Sequence, residues 1–587
     1  MSQNTLVSCW QNPQPASTHR PVLLGTRHMV VAGHYAAAHV AFSILEAGGN
    51  AVDAGCGAGI ALGVLQPDIV NVAGVAPIIL RTARDGAVHA ISGLGPWPRA
   101  ASARYFRERH GGAIPDGILR TVVPAAPDAW IAALVRFGTW SFGDVAAGAI
   151  RFAREGFPIY PLLAESLRQH ASDYGRYASN AAIFLPGNRP PGVGEIFMQL
   201  DLARTLQYMA DEELSAARRA GRDAGLAAAH NAFYRGDIAA AIARFHRENG
   251  GLLTGDDLAA FRSEVETPPH TRSAGIDIYA CGAWCQGPAL LQVLNFMDPQ
   301  ELHALGHNST DYIHFVVEAL KLVFADRERY FGDPRFVDVP LAGLLSPDYA
   351  GLRRGLIEAD RAAPGMPPPG DPRAMAATVS ECRQPKTRAA EPNGPKDTSY
   401  ICVVDRWGNV FSATPSDSSY DGVVVPGTGL CPSTRGSQSW TDEDHASCLA
   451  GGKRPRLTPN PALALGPDGL ALAFGSPGGD VQIQAMLQVF LNIAVFGMDP
   501  QQAVEAPRFN TFSFPDSFEP HAYYPGRLAL ERRLGEPTGA AIAARGHRIE
   551  WWPDLPWQSG AVCAILARQG LLSAGADPRR PAYALGW

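Results

Sequence analysis

Apolar positions recur every three and four residues through most of the first two thirds of the chain, which is the period of an amphipathic helix. Near the N-terminus, GHYAAAHVAFSILEAGGNAVDAGCGAGIALGVLQPD predicts two helices that are broken at Gly48, Gly49 and Asn50. Glycine ends a helix in the left-handed conformation, and asparagine can cap the next helix. Further helices are predicted between residues 120 and 160, at GGLLTGDDLAAFR and at STDYIHFVVEALKLVFADRERYF.

The spacing of apolar positions along the chain changes twice after residue 360. From about residue 361 to residue 397 the chain is rich in Pro, Gly, Ala and charge, and it has neither a helical nor a strand period. From Thr398 onward short β patterns follow, namely TSYICVVD, VFSAT, PALALG, LALAFGS and AVCAILAR, with one helical segment, DVQIQAMLQVFLNIAVFG. We therefore predict a mixed α/β (α+β) protein with a helix-rich first part and a strand-rich last part.

Composition excludes several classes of partner. The chain has 587 residues and a formal net charge of −6, so a nucleic-acid binder with a basic face is not expected. No apolar run reaches the roughly 18 residues of a membrane helix, and the first residues lack the features of a secretory signal. Nine cysteines without a framework spacing favour a reducing compartment, so we expect a cytoplasmic protein.

Thr398 stands where two features of the chain meet. It is the first residue of a predicted strand, and it directly follows the proline-rich stretch. A cut between Asp397 and Thr398 would give one residue both a hydroxyl nucleophile and a free α-amine, whose pKa of about 8 suits a base at neutral pH. A plain linker between two domains is the alternative, and it fits the prolines equally well.

A second motif favours a catalytic Thr398 over a plain linker. FGSPGGD follows one predicted strand and opens the helix VQIQAMLQVF, so the amides of Gly478 and Gly479 would point out of a helix N-terminus. Such donors can stabilise the oxyanion of a tetrahedral intermediate, commonly by about 3 kcal/mol per donor. Two glycines at a helix start are also common in proteins where they have no function. The motif therefore indicates an oxyanion site only in combination with Thr398.

Together these motifs resemble the γ-glutamyltransferase family of N-terminal nucleophile hydrolases along nearly the whole chain. The segments that carry the resemblance are, in order, ILEAGGNAVDA, AREGFPI, GGLLTGDDLAAFR, TSYICVVDRWGNVFSAT, VVVPGTGL, GGKRPRLTPNPAL and GSPGGD. The resemblance implies a four-layer αββα sandwich, made as a proenzyme (zymogen) that cuts itself between Asp397 and Thr398. Residues 1–397 would form a large subunit in which 361–397 is a mobile pro-segment, and residues 398–587 would form a small subunit.

Carried over by position, the resemblance assigns the reaction to four residues. Thr398 would be the nucleophile, and Ser416 falls where the family has a second threonine whose hydroxyl assists the first. Gly478 and Gly479 match the family's oxyanion glycines. The resemblance implies no metal and no organic cofactor, and it implies that the large and small fragments form a heterodimer.

The substrate-binding positions depart from the family pattern. Ser418 falls where an asparagine is usual, and Leu457 and Thr458 replace a pair of serines. Leu94, or a neighbour in SGLGPWP, falls at the position of an arginine, and Gln438 in CPSTRGSQSW falls at that of an aspartate. In the family those two charges meet the α-carboxylate and α-ammonium of a γ-glutamyl group, so their loss predicts weaker binding of that group.

Arg435 adds a new charge in the same segment, and it could either bind a substrate carboxylate or lie on a surface loop. We therefore expect a self-processing amidohydrolase or acyltransferase that acts on a non-glutamyl small amide. Oxamate-like amides and acylated β-lactam side chains are known substrates of relatives. Conventional γ-glutamyl transfer or glutathione hydrolysis, a catalytically silent scaffold and an unprocessed two-domain binding protein are the alternatives. A homo-oligomer also stays open.

Overall fold

The computed structural model describes residues 18–379 and 398–587, and among these residues nineteen strands form four sheets. In chain order the strands are β1 (Leu23–Gly25), β2 (Met29–Ala32), β3 (Ile78–Arg81), β4 (Val88–Ile91), β5 (Phe157–Pro158), β6 (Ile196–Phe197), β7 (Val265–Glu266), β8 (His270–Ser273), β9 (Ile276–Ala280), β10 (Ile401–Val404), β11 (Val410–Ala413), β12 (Ala462–Leu465), β13 (Ala471–Gly475), β14 (Phe509–Thr511), β15 (Arg527–Glu531), β16 (Arg548–Trp552), β17 (Cys563–Arg568), β18 (Leu571–Ala576) and β19 (Tyr583–Gly586).

Two seven-stranded antiparallel sheets lie at the centre of the protein. One has the strand order β1-β18-β17-β13-β12-β9-β8, and the other has the order β19-β2-β10-β11-β3-β4-β7. A buried apolar core lies between them, with side chains such as Val31 and Tyr400 from one sheet and Leu463 and Ile565 from the other. Burial of these facing side chains holds the two sheets together, since sheets pack through their apolar faces.

Helices cover the outer face of each sheet. Tyr35–Glu46 and Ala51–Leu65 pack on the side of β10 and β11, while Gly287–Leu294, Thr310–Tyr330 and Val481–Ala494 pack on the side of β12 and β13. This arrangement confirms the predicted four-layer αββα sandwich. The remaining α-helices of the described residues are Ala103–His110, Ala126–Phe137, Phe142–Glu155, Pro161–Gln169, Ala171–Gly175, Ala178–Phe184, Leu200–Ala220, Arg222–Tyr234, Asp237–Glu248, Gly255–Ala260, Pro299–Leu305, Leu341–Leu344, Pro347–Arg354, Pro500–Glu505 and Glu536–Ala544.

The predicted helix boundaries are present in the structure. Gly48 has a φ of 100° between the first two helices, and the Asn50 side chain accepts hydrogen bonds from the first turn of the second helix. Thr254 forms a capping box with Asp257, and Ser309 caps the helix Thr310–Tyr330. These boundaries depend on local hydrogen bonds, which is why sequence could predict them.

Both parts of the chain contribute strands to both large sheets. β10 begins after residue 397, yet it pairs with β2 on one side and with β11 on the other. β13 likewise lies in one sheet with β9, which precedes residue 380. The alternative of two separately folded domains joined by a linker is therefore wrong, because neither part could complete a sheet alone.

Residues 361–379, the described part of the predicted pro-segment, lie against the body of the protein. The Gly370 amide donates to Asp326 Oδ1 at 2.9 Å, and Arg353 Nη1 donates to the carbonyl oxygens of Pro368 and Ala377. Whether the segment is mobile stays a prediction. Asp397 lies outside the described residues. In the part of the chain that the structure describes, no helix is both long and apolar enough to cross a membrane.

Candidate active site

Thr398 lies at the entrance to the central strand β10, directly beside a second hydroxyl. It forms an antiparallel bridge with Ser416, which follows the neighbouring strand β11, and the Ser399 amide donates to the Pro415 carbonyl at 3.0 Å. Thr398 Oγ1 and Ser416 Oγ are 2.8 Å apart, within hydrogen-bond distance. Both side chains are buried, with 1% and 0% exposed. The structure thus brings together the predicted nucleophile and its predicted assistant.

The alternation of β10 sets which neighbours face Thr398. Tyr400 and Cys402 point into the core between the sheets, while Ile401 points to the helices on the other face. Ser399 shares the face of Ile401, because successive side chains alternate. Burial raises the pKa of the Cys402 thiol well above its ordinary value, so this thiol stays protonated. Thr398, just before this strand, therefore remains the predicted nucleophile, and Cys402 does not compete with it.

Arg435 reaches the same pair of hydroxyls from the loop after β11. Its Nη2 donates a hydrogen bond to Ser416 Oγ, and its Nε lies 3.6 Å from Asp417 Oδ1. The guanidinium carbon lies 5.3 Å from the centre of the Phe518 ring, a cation–π distance. Only 1% of Arg435 is exposed. The alternative of a surface arginine on a loop is therefore wrong.

Asp417 holds this loop in place, and sequence reasoning missed it. Its carboxylate accepts hydrogen bonds from Ser433 Oγ at 2.6 Å and from the Thr434 amide and hydroxyl at 3.0 and 2.9 Å. Burial raises the pKa of Asp417, and the nearby Arg435 guanidinium opposes that rise. Ser418, a predicted substrate-binding residue, is the next residue along the chain and is 1% exposed.

Gly478 and Gly479 lie just before the helix Val481–Ala494, as predicted. Their φ angles are 117° and 57°, which L residues rarely adopt, so glycine is needed at both positions. Within residues 18–379 and 398–587 neither amide donates a hydrogen bond, although both carbonyls accept bonds from the first helical turn. Two free N–H groups at a helix N-terminus are suited to bind an oxyanion.

Gln482 connects this helix to Thr398, and it is a second residue that sequence reasoning missed. Its Nε2 donates to Thr398 Oγ1 at 3.4 Å, and its Oε1 accepts from the Asn460 amide at 3.2 Å. The first turn of the helix therefore lies beside the candidate nucleophile. The sequence offered one signal for Gln482, which is its position two residues after the GSPGGD motif. The structure shows that its side chain is buried.

The predicted substrate-binding residues Gln438 and Thr458 contact each other. Gln438 Nε2 donates to Thr458 Oγ1 at 2.7 Å. Gln286, which the sequence did not single out, then donates to the carbonyls of Thr458 at 2.8 Å and of Gly479 at 3.1 Å. This network of amides places Gln438 and Thr458 next to the candidate oxyanion glycines. Gln438 carries no charge where the family pattern has an aspartate.

Leu94 and Leu457 belong to one small apolar cluster. The cluster also contains Val75, whose backbone pairs with that of Ser416, so the cluster lies close to Ser416. Both leucines are fully buried, with 1% and 0% exposed. The side chain at position 94 thus offers an apolar surface and no counter-charge.

Leu94 also lines a cavity of about 190 Å³ that carries several charges. Its lining includes Arg99, Arg335, Arg454 and Glu264. Glu264 lies 3.3 Å from Arg335 Nη1 and 3.1 Å from Arg454 Nη1. The arginines of this cavity could hold an acidic group near position 94. They stand at other positions than the arginine of the family pattern, which falls at Leu94.

A separate group of potential metal ligands lies between the helix Thr310–Tyr330 and strand β16. His314 Nδ1 and His547 Nε2 are 3.0 Å apart, and Glu318 Oε1 is 3.8 Å from the latter. The Lys321 ammonium donates to the same Glu318 oxygen at 2.6 Å. Because a cation already binds this carboxylate, the group is poorly suited to hold a metal ion.

Comparisons with known proteins agree with this geometry. The family model of Gamma-glutamyltranspeptidase matches residues 37–587. The chain is 32% identical over 553 residues to the acylase ACY 1 proenzyme of Pseudomonas sp. (strain SE83), covering 92% of this chain and 90% of that protein. It is 30% identical over 573 residues to the glutathione hydrolase-like YwrD proenzyme of Bacillus subtilis (strain 168), and the match covers 96% of this chain and 99% of that protein.

A solved structure shows the same fold. The crystal structure of cephalosporin acylase from Bacillus halodurans matches with a TM-score of 0.82 at 28% identity, covering 98% of this chain and 99% of that chain. The shared αββα sandwich and the match of the family model over residues 37–587 lead to one assignment. The chain belongs to the gamma-glutamyltranspeptidase family of N-terminal nucleophile hydrolases, which are enzymes that act on amide bonds.

Proposed function

We propose that this chain is a self-processing amidohydrolase or acyltransferase whose nucleophile is Thr398. The observation that carries the proposal is the 2.8 Å contact between Thr398 Oγ1 and Ser416 Oγ, next to a helix N-terminus with two free amides. A threonine hydroxyl alone is a poor nucleophile, and its own α-amine can serve as the base once the chain is cut.

Processing and turnover use the same hydroxyl. In processing, Thr398 Oγ1 attacks the carbonyl carbon of Asp397, the peptide C–N bond breaks, and water hydrolyses the ester, which leaves a carboxylate on Asp397 and a free amine on Thr398. In turnover, the amine takes the hydroxyl proton while Oγ1 attacks a substrate amide. The C–N bond breaks, the leaving amine takes the proton, and water or another amine resolves the acyl-enzyme. Gly478 and Gly479 would bind the oxyanion of each tetrahedral intermediate.

The substrate that we favour is a small amide without a zwitterionic γ-glutamyl head group. Support comes from Leu94, which is apolar and buried, and from Gln438, a neutral amide held by Thr458. An ammonium group beside Gln438 would contact a neutral amide oxygen and not a carboxylate. Hydrogen bonds between two charged groups are about twice as strong as neutral ones, so Gln438 should bind an ammonium group more weakly than an aspartate would.

Conventional glutathione hydrolysis or γ-glutamyl transfer is the second candidate. It is favoured by the relative that is named as glutathione hydrolase-like and by the arginines that line the cavity beside Leu94. Arg99 or Arg335 could meet an α-carboxylate there. Under this candidate the chain would take part in glutathione metabolism. A catalytically silent scaffold remains a third candidate until turnover is measured.

Matched substrates test the proposal. We would compare release of aniline from γ-glutamyl anilide, from glutaryl anilide, which lacks only the α-ammonium, and from oxanilate, the oxamate that carries an anilide. The proposal predicts faster turnover of the amides without an ammonium, and no turnover by the Thr398→Ala variant. A preference for γ-glutamyl anilide would establish the second candidate. Equal behaviour of Thr398→Ala and the parent on every substrate would reject Thr398 as the nucleophile.

The proposal includes two further elements. The fragments before and after the cut would stay together as a heterodimer, because both contribute strands to both large sheets. A cytoplasmic location is proposed from the scattered cysteines, of which the seven described ones are all free thiols.

A further inference from the structure

We propose that Arg435 is a positioning residue that sets the direction of the hydrogen bonds at Thr398 and lowers the basicity of its α-amine. This inference rests on the proposed function, in which Thr398 is the nucleophile. It gives Arg435 a role in the reaction that differs from binding a substrate carboxylate.

Arg435 donates a hydrogen bond into the pair of hydroxyls. A guanidinium can only donate, so Ser416 Oγ accepts the bond from Arg435 Nη2. Thr398 Oγ1 lies 2.8 Å from Ser416 Oγ, and in the proposed arrangement the Ser416 hydroxyl proton points to Thr398 Oγ1. Gln482 Nε2 also donates to Thr398 Oγ1. Two donors on this oxygen stabilise the negative charge that it develops during attack and on release of the acyl group.

Arg435 is held in place by its neighbours. Its Nε lies 3.6 Å from Asp417 Oδ1, and its guanidinium lies against the face of the Phe518 ring. Asp417 is itself held by Ser433 and Thr434 through three hydrogen bonds, which share the negative charge of its carboxylate. A buried cation held in this way cannot turn to a substrate without breaking its pair with Asp417.

A cut before Thr398 would expose an α-amine near the Arg435 charge. Arg435 is connected to Thr398 by two hydrogen bonds in series, so its charge lies within about 6 Å of the Thr398 hydroxyl, and the Asp417 carboxylate beside it offsets part of that charge. A nearby positive charge disfavours the ammonium form of an amine and therefore lowers its pKa. The amine would then be unprotonated, and ready to act as a base, at a lower pH than it would be without Arg435.

The pH dependence of kcat/KM for the wild type, Arg435→Gln and Arg435→Lys tests this role. In Arg435→Gln we expect the acidic limb of the profile to move to higher pH by about one unit, because the charge is gone. We also expect kcat to fall by about 100-fold with KM within about twofold of the wild-type value. Arg435→Lys keeps the charge, so its acidic limb should stay in place. Its kcat should fall about tenfold, since one ammonium cannot reach Ser416 and Asp417 as a planar guanidinium does.

A processed Arg435→Gln enzyme with the wild-type acidic limb and kcat would overturn the inference. A large rise in KM with unchanged kcat would overturn it too, and would instead indicate that Arg435 binds substrate. If Arg435→Gln stays uncut, its melting temperature is compared with that of uncut Thr398→Ala. Equal melting temperatures would support a chemical role. If Arg435→Gln does not fold, the kinetics of Arg435→Lys test the inference instead. A wild-type kcat in Arg435→Lys would contradict it.

Thr398→Ala, measured in parallel, separates this test from the proposed function. Activity that survives in Thr398→Ala rejects Thr398 as the nucleophile, and with it the premise of the inference. An inactive Thr398→Ala together with a wild-type-like Arg435→Gln rejects the role of Arg435 alone.

Discussion

Thr398 Oγ1 lies 2.8 Å from Ser416 Oγ, and the backbones of the two residues form an antiparallel bridge. The hydroxyl pair is therefore held by a backbone bridge just beyond the paired strands β10 and β11, and both side chains are buried. A strand position holds a side chain precisely enough for the short contacts that nucleophilic attack needs.

Replacing Ser416 by alanine removes one donor from the proposed nucleophile. We expect kcat of Ser416→Ala to fall by about 10- to 100-fold, because a hydrogen bond to a developing charge contributes about 1.5 to 3 kcal/mol. Ser399→Ala is the matched control, since Ser399 is equally buried but lies on the other face of the strand, and its hydroxyl makes no hydrogen bond in the described structure. Steady-state kinetics of both variants check the prediction, and equal losses would contradict it.

Gly478→Ala tests the oxyanion site. A methyl group at Gly478 would have space, with its nearest neighbour at 3.5 Å, but the φ of 117° is strained for alanine. We expect a loss of stability of about 1 to 3 kcal/mol and a fall in kcat of at least about tenfold as the amide turns away. Gly48→Ala, with a φ of 100° and open space around it, should lose similar stability and keep its kcat. Loss of kcat in both variants would mean that strain alone explains the effect.

Gln438→Glu introduces a carboxylate without changing the shape of the side chain. The Thr458 hydroxyl, 2.7 Å from Gln438 Nε2, can donate to the new oxygen. We expect the ratio of kcat/KM for γ-glutamyl anilide to that for glutaryl anilide to rise about tenfold, because the new charge can meet the α-ammonium. Gln438→Ala should leave this ratio unchanged. An unchanged ratio in Gln438→Glu would show that position 438 does not face the substrate.

His34 should make the fold less stable in mild acid. Its Nδ1 accepts from the Ala36 amide at the start of the first helix, and burial lowers the pKa of His34 to about 4. The folded pKa lies below the unfolded value of 6.5, so this contribution to stability is complete above pH 6.5 and is lost as pH falls toward 4. From pH 7.5 to pH 5 the loss is about 2 kcal/mol in the free energy of unfolding.

His34→Asn keeps a helix cap that does not titrate, because asparagine is a good cap residue. Denaturant unfolding at pH 7.5 and pH 5 should therefore show a smaller pH dependence for His34→Asn than for the parent, by about 2 kcal/mol. Other buried histidines, such as His246 and His521, leave a common residual slope in both proteins. The same slope in parent and variant would exclude His34 as a source of acid sensitivity.

Local signals explain what the sequence could predict. The helix break at Gly48 and Asn50, the strand that starts near Thr398 and the turn at Gly478 and Gly479 each depend on neighbours within a few residues. Ordered motifs then predicted the sandwich, because the fold is shared across the family.

Long-range packing explains what the sequence could not predict. Gln286 reaches Thr458 from 172 residues away, and Gln482 reaches Thr398 from 84 residues away, so no local pattern reports either contact. The position of Arg435 stayed open for the same reason. Its burial depends on Phe518 and Asp417, which the folded chain brings together.

N-terminal sequencing of the fragments from a denaturing gel tests the central claim most directly. The account predicts two fragments, of which the smaller begins at Thr398, and it predicts that Thr398→Ala yields one uncut chain of 62.5 kDa. A small fragment that begins at Ser399 or elsewhere, or a purified and active wild-type protein that remains one uncut chain, would contradict it.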